Sequence, residues 1–191
     1  QPFLYRVRLS LLRAGRETDR VESYFGLRTF AVQPDENGTP YFLLNGRPYF
    51  QKGLLDQGYW PDGLYTAPSD EALIYDIQTM KNLGFNMIRK HVKVETARWY
   101  YHCDRLGMIV WQDMVNGGTY NAPFMTWLPA LFPKFKLHTS DRIHPLFGRK
   151  NVHGREEFIR ECKDTVTALK AFPCISTWVI FNEGWGQFDS K

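Results

Sequence analysis

Apolar and polar residues alternate from the start of the chain, with Leu4, Arg6, Arg8 and Ser10 on one side and Tyr5, Val7, Leu9 and Leu11 on the other. A period of two predicts a strand with one face in water. A polar turn through Ala14 to Asp19 leads to residues 21–32, again β-branched and aromatic, which predict a second strand. Two strands cannot bury a face alone, so they read as the closing strands of a β-sandwich whose earlier strands lie outside this chain. The stretch Pro34-Asp35-Glu36-Asn37-Gly38-Thr39-Pro40 is polar and rich in turn formers, and predicts a boundary between residues 1–34 and 41–191.

Beyond it, Asn45-Gly46 separates two apolar runs, a hairpin signal because a type I′ turn needs two residues tolerant of positive φ. The second arm is expected to continue inward as the first strand of a new sheet. Ser69-Asp70-Glu71 opens a helix whose apolar Leu73, Ile74, Ile77 and Met80 recur at helical spacing up to Gly84. Residues 85–91 predict the next strand, Glu95 to Leu106 a second helix stopped by Gly107, and residues 108–113 a third strand. A third helix is expected over 155–171, broken by Pro173 ahead of a last strand over 175–183. Strands alternating with helices imply parallel βαβ units, an α/β fold. The segment from Met114 to Gly154 is too long for an ordinary connection, and in a barrel it would help to shape the functional face.

The composition, 43% hydrophobic and 16% aromatic over 191 residues, implies a buried core. A net charge of +4 is spread along the chain without a basic block or stripe, which argues against nucleic acid as a partner. Cys103, Cys162 and Cys174 are odd in number and widely spaced, so they read as buried thiols, with neither a disulfide framework nor a metal knuckle. His138, His144 and His153 are irregularly spaced, and no metal or cofactor is expected. No run approaches the ~18 apolar residues of a membrane span, so no membrane partner is expected. The N-terminus shows no secretion signal, which leaves the compartment open because the chain reads as starting within a domain.

The chemistry concentrates near the end, where Trp178-Val179-Ile180-Phe181 runs into Asn182-Glu183-Gly184-Trp185. An apolar strand that ends in Asn-Glu and opens into a Gly/Trp loop is how a (β/α)8-barrel glycosidase places an acid at a strand's C-terminal end. Several further stretches, in order, resemble family 2 glycoside hydrolases, the β-galactosidase, β-glucuronidase and β-mannosidase group. They are Tyr24-Phe25-Gly26-Leu27-Arg28; Leu44-Asn45-Gly46-Arg47-Pro48 with Lys52-Gly53; Asp76 through Lys81, Gly84 and Asn86 to Arg89 with His91; Cys103-Asp104 with Gly107; and Phe181-Asn182-Glu183. The resemblance implies the last strands of an immunoglobulin-like β-sandwich followed by the first half of a (β/α)8 TIM barrel, and a retaining mechanism on β-glycosides.

On that resemblance Glu183 is the general acid/base, Asn182 bonds the sugar 2-hydroxyl, Arg89 orients the nucleophile's carboxylate, and His91 reaches the sugar. A carboxylate among aromatic rings can also have its pKa raised enough to donate a proton. Asp113 reads equally as a sugar-facing acid or a salt-bridge partner, and His91 equally as a ligand or a core residue. Asp56, Gln57, Tyr59, Trp60, Lys90 and Lys93 are candidate readers of the substrate, the two lysines also reading as solvated surface charge. Trp185 is a candidate stacking ring; Tyr120, Phe124, Trp127 and Phe188 read either as stacking rings or as core, and Trp99-Tyr100-Tyr101 as core.

Two departures bear on specificity: Lys90-His91-Val92-Lys93 stands where the family usually has Ser-His-Tyr-Pro, and Leu55 and Gln57 stand where it has Asn and His. The nucleophile is expected beyond Lys191, which leaves the chain alone inactive and its open barrel edges ready to self-associate. A second reading, a non-catalytic carbohydrate-binding or scaffold fragment, explains the aromatic loops without turnover.

Overall fold

A computed structural model describes residues 2–119, 121, 123–134, 139–184 and 186–190. Strands β1 (Tyr5–Arg13) and β2 (Arg16–Phe25) form an antiparallel hairpin, exposed along nearly its whole length. Its turn is shorter than the sequence suggests: Ala14 and Gly15 both take positive φ, and pairing resumes at Arg16. The run expected as a single strand over 21–32 divides in two. Arg28 donates through Nε to the Pro173 carbonyl and through Nη2 to that of Ile175, both at 2.9 Å, which pulls the chain out of the hairpin after Phe25.

Strand β3 (Phe30–Pro34) then pairs with β4 (Pro40–Leu44), and β4 with the short β5 (Arg47–Pro48). The polar stretch over 34–40 forms the turn of this hairpin, closed by Asp35, whose Oδ1 accepts from the backbone N–H groups of Asn37 and Thr39. Asn45 and Gly46, with φ of 51° and 74°, make the expected tight turn between β4 and β5.

The remaining strands, β6 (Gly53–Asp56), β7 (Met87–Lys90), β8 (Ile109–Asp113) and β9 (Ile175–Val179), form a four-stranded parallel sheet in sequential order. Helix α1 (Asp70–Asn82) connects β6 to β7 and α2 (Ala97–Leu106) connects β7 to β8. Between β8 and β9 come a π-helical turn (Pro123–Trp127), α3 (Leu128–Leu131) and α4 (Val152–Leu169). Ser69 caps α1 by accepting from the Ala72 N–H, Asn151 caps α4 by accepting from that of Gly154, and Gly107 ends α2 in the left-handed region. The Asn151 cap starts α4 earlier than the expected 155.

The core lies between the sheet and α1 and α2: Leu73, Ile77, Trp99, Tyr100 and Cys103 pack on Ile88, Val110 and Ile175. Ile77, Ile88 and Val110 are fully buried, each worth about 1.5–3 kcal/mol of transfer free energy. A second cluster, Met114, Phe158 and Phe188 with Phe181 and Trp178, joins α4 to the chain on either side of β9. Phe188, read from sequence as either core or a stacking ring, is 7% exposed and belongs to this core. Among the described residues, no helix is long and apolar enough to cross a membrane.

Candidate active site

Successive side chains of a strand point to opposite faces, so the register of the parallel sheet sorts the candidates. Arg89 is level with Trp111, Lys90 with Gln112, and Asp56 with Lys90. Lys90, Gln112 and Asp56 turn toward the helices, while Arg89, Trp111 and Asp113 turn to the other face.

On that other face, at the C-terminal ends of the strands, Arg89 meets Asp113 through two parallel bonds, Nε to Oδ1 and Nη2 to Oδ2, each 2.9 Å. Arg89 thus has a carboxylate partner within the chain, Asp113. Nη2 also donates to Asn182 Oδ1 at 2.7 Å, which joins β7, β8 and the turn after β9. Asp113 is fully buried. Its bonds to Arg89, with its charge and that of Glu183, hold the guanidinium pKa above its ordinary value against the opposing effect of burial.

The last strand is shorter than expected: β9 stops at Val179, and Asn182, Glu183 and Gly184 form a turn kinked at Glu183. Glu183 has φ 53° and ψ 20°, a left-handed conformation that a non-glycine residue seldom takes. Val92, just past β7, has φ 50°, less favourable still for a β-branched side chain, and its N–H points to Asp113 Oδ2 at 3.3 Å. Strain of order 1–3 kcal/mol per residue therefore flanks the Arg89–Asp113–Asn182 cluster on two sides.

Arg149, which nothing in its polar loop singles out from the sequence, fixes the turn beyond Glu183. Its Nε donates to the Gly186 carbonyl and its Nη2 to Asn116 Oδ1, both at 2.7 Å, and its guanidinium lies 4.6 Å from the centre of the Phe158 ring. Desolvation lowers its pKa. His91 sits beside the cluster with its Nδ1 3.2 Å from Gln57 Nε2, which brings two more candidates to the same end of the sheet. Trp185 lies outside the described residues, as do Tyr120 and His138.

The lysines and Asp56 differ from expectation. Lys90 is 1% exposed rather than solvated, with its ammonium 2.7 Å from Asp56 Oδ2, 2.9 Å from Glu95 Oε1 and 4.2 Å from the centre of the Trp99 ring. Lys93 is also buried, 2.8 Å from Glu95 Oε1. Asp56 faces Lys90, away from Arg89, and its second oxygen accepts from the Gly58 N–H at 2.7 Å. A buried ammonium needs a carboxylate, and these pairs satisfy one another beneath the strand ends. Among the described residues no cluster of three or more His, Cys, Asp or Glu could hold a metal ion.

The resemblance drawn from the sequence has counterparts among known proteins. A β-galactosidase from Lactococcus lactis is 29% identical over 153 residues, 75% of this chain and 15% of that protein. One from Yersinia pestis is 28% identical over 187 residues, 96% of this chain and again 15% of that protein. Among solved structures, the family 2 β-galacturonidase from Eisenbergiella tayi, determined with galacturonate, shares the fold with a TM-score of 0.69 at 22% identity, over 95% of this chain and 27% of that one. The chain is similar to family 2 glycoside hydrolases. It spans about 15% of the length of the curated relatives it matches. No family model matches it.

Proposed function

We propose that this chain belongs to an enzyme that hydrolyses β-glycosidic bonds by a retaining mechanism, and that Glu183 is its general acid/base. On this reading β6 to β9 are the first half of a (β/α)8 barrel within residues 41–191, and residues 1–34 are the closing strands of an immunoglobulin-like sandwich, with β3 reaching across to pair with β4. The observation that carries the proposal is the convergence of Arg89, Asp113 and Asn182 at the C-terminal strand ends, with Glu183 next in sequence and electrostatically coupled to Arg89. That end of a parallel sheet is where barrel enzymes carry out their chemistry. The two strained residues beside the cluster fit a functional site better than a structural one.

In the proposed reaction Glu183 protonates the leaving oxygen, then takes a proton from the water that releases the sugar. Asn182 has its carbonyl oxygen turned to Arg89, so its amide nitrogen is directed away from the guanidinium and is available to a sugar hydroxyl. Arg89, anchored by Asp113, presents the rest of its guanidinium to the nucleophilic carboxylate, which a later part of a longer polypeptide supplies. Gln57 and His91 contact the sugar from the β6 and β7 side, and Trp185 stacks on it. Asp56 acts through Lys90, which holds the loops in place.

The test is Glu183→Gln in the longer enzyme. Turnover of substrates with poor leaving groups should fall by about 10²–10⁴-fold, the usual contribution of a general acid, and activated aryl glycosides should lose much less. Equal losses on both classes would remove Glu183 from the acid role.

A further inference from the structure

The loop after β6 carries two tyrosines that the proposed reaction does not use. Tyr59 and Tyr65 are 60% and 56% exposed, yet their rings lie 4.8 Å apart at 44° and their hydroxyls are bonded at 2.7 Å. Exposed rings on a loop ordinarily move independently; these are fixed from beneath. The Lys93 ammonium donates to the carbonyls of Gly58 and Tyr65, both at 2.8 Å, and lies 5.2 Å from the centre of the Tyr65 ring. Glu95, whose side chain is 5% exposed, holds that ammonium in place. Gly58 allows this approach: it has φ +67°, and a Cβ there would lie 2.5 Å from Glu95 Oε1 and 2.7 Å from Lys93 Nζ. Trp60 and Leu64 exchange two backbone bonds, of 2.7 and 3.0 Å, and pin the loop between the two rings.

The position of this pair limits what it can meet. It follows β6, at the same end of the sheet as Arg89 and Asn182, and the preceding Gln57 already touches His91. The order β6-β7-β8-β9 puts up to three strand spacings, about 14 Å, between this loop and the turn that bears Asn182 and Glu183. A sugar held at Arg89 and Asn182 meets this loop at its start, Gln57, and a second ring joined to that sugar reaches Tyr59, two residues further on.

Resting on the glycosidase reading, we propose that Tyr59, backed by Tyr65, is a preformed platform for the ring attached through the scissile oxygen, so that the substrate is a glycoside with a ring-shaped leaving group. A phenol face stacks on the C–H face of a pyranose or on an aryl ring, and its hydroxyl is suited to a partly wet site. Because Lys93 and the Tyr59–Tyr65 bond order the loop in advance, binding does not incur the cost of ordering it.

Selective labelling of the tyrosine rings tests the platform by NMR in the chain of residues 1–191. The probes are phenyl β-D-galactopyranoside, lactose and methyl β-D-galactopyranoside. The ring signals of Tyr59 and Tyr65 should shift with phenyl galactoside, lactose or both, with apparent affinity at least fivefold above that of the methyl glycoside. Tyr59→Ala should abolish that preference and Tyr59→Phe should keep it. A response to phenyl galactoside alone identifies an aryl leaving group, and a response to lactose alone identifies a sugar. Shifts at the backbone amides of Asn182 and Glu183 with none at the tyrosines overturn the platform and leave the glycosidase reading standing. Absence of any shift, or an equal response to the methyl glycoside, also overturns the platform, whereas the glycosidase reading stands or falls on Glu183→Gln.

Discussion

Arg89 and Asp113 grip each other across neighbouring strands through two bonds of 2.9 Å, with the carboxylate fully buried and the guanidinium side chain 27% exposed. A planar fork matched to a carboxylate gives direction as well as attraction, and this one sets the angle from which Arg89 reaches Asn182. Asp113→Ala would leave a partly buried guanidinium without its partner. Removal of one member of a fully buried pair costs about 3–5 kcal/mol, and the loss here should fall toward the lower end because Arg89 retains some water. Urea unfolding should show the lowered midpoint, and Arg89→Lys, which cannot make the paired bonds, should recover little of the stability that Arg89→Ala loses. Full recovery by lysine would mean that charge alone matters there.

Tyr24 couples the exposed β1–β2 hairpin to the core. Its hydroxyl donates to Asp104 Oδ2 at 2.7 Å, and Asp104 Oδ1 accepts from the Cys174 N–H at 2.6 Å. Burial raises the Asp104 pKa, although these bonds stabilise the charged form. Tyr24→Phe should destabilise the chain by about 1.5–3 kcal/mol, the range for a hydrogen bond to a charged group. Hydrogen exchange should locate the weakening at the Cys174 amide and along the hairpin. An unchanged exchange rate at Cys174 would show that Asp104 is held without Tyr24.

His102 predicts a pH dependence. It is 6% exposed, accepts from Arg105 Nε through Nδ1 at 3.0 Å, and faces Asp70 on α1 with Nε2 3.6 Å from the nearer carboxylate oxygen. Burial first, then the charge of Arg105, lowers its pKa below the ordinary 6.5, against the opposing pull of Asp70. Over the window just below pH 6.5 the unfolded chain therefore binds more protons at this site than the folded one. Stability contributed here is complete above that value and declines as the pH falls through the window. Denaturant midpoints taken between about pH 5 and pH 7 should rise with pH, and His102→Asn should flatten that slope. A slope unchanged by the substitution would assign the dependence to other groups.

The parallel sheet ends at β6 and β9, and Leu54 and Leu55 on β6 are 37% and 54% exposed, while Leu9, Leu11 and Val21 are exposed on the first hairpin. Unpaired strand edges beside apolar surface favour association with another chain. Light scattering on residues 1–191 should give a mass above that of one chain, and a panel of aryl β-glycosides should show no enzymatic turnover, since the proposed nucleophile is not in this sequence. Robust hydrolysis by a monomer would mean that the chain supplies its own nucleophile.

In the longer enzyme the first product should keep the β configuration. A retaining pair of carboxylates stands about 5–5.5 Å apart, leaving no room for direct attack by water. NMR of the initial sugar checks this, and an initial α product would refute the retaining mechanism.

What the sequence determined by itself is the set of elements whose causes are local. The Asn45-Gly46 turn, the Ser69 cap and the Gly107 stop each depend on one or two residues and their φ preferences, and the alternation of strand and helix follows from apolar periodicity. The juxtaposition of Arg89, Asp113 and Asn182 was foreseeable only as three strand ends. That Asp113 is the partner of Arg89 depends on register, which is set by pairing between strands distant in sequence. Tertiary structure alone decided the rest. Lys90 and Lys93 look like surface charge in the sequence, yet β6 brings Asp56 against Lys90, and the loop after it brings the Gly58 and Tyr65 carbonyls against Lys93, which turns both into buried anchors. The run over 21–32 has the composition of one strand, yet Arg28 breaks it by reaching carbonyls at the start of β9. Contacts between residues far apart in sequence leave no periodic trace in either segment, so they emerge only once the chain has folded.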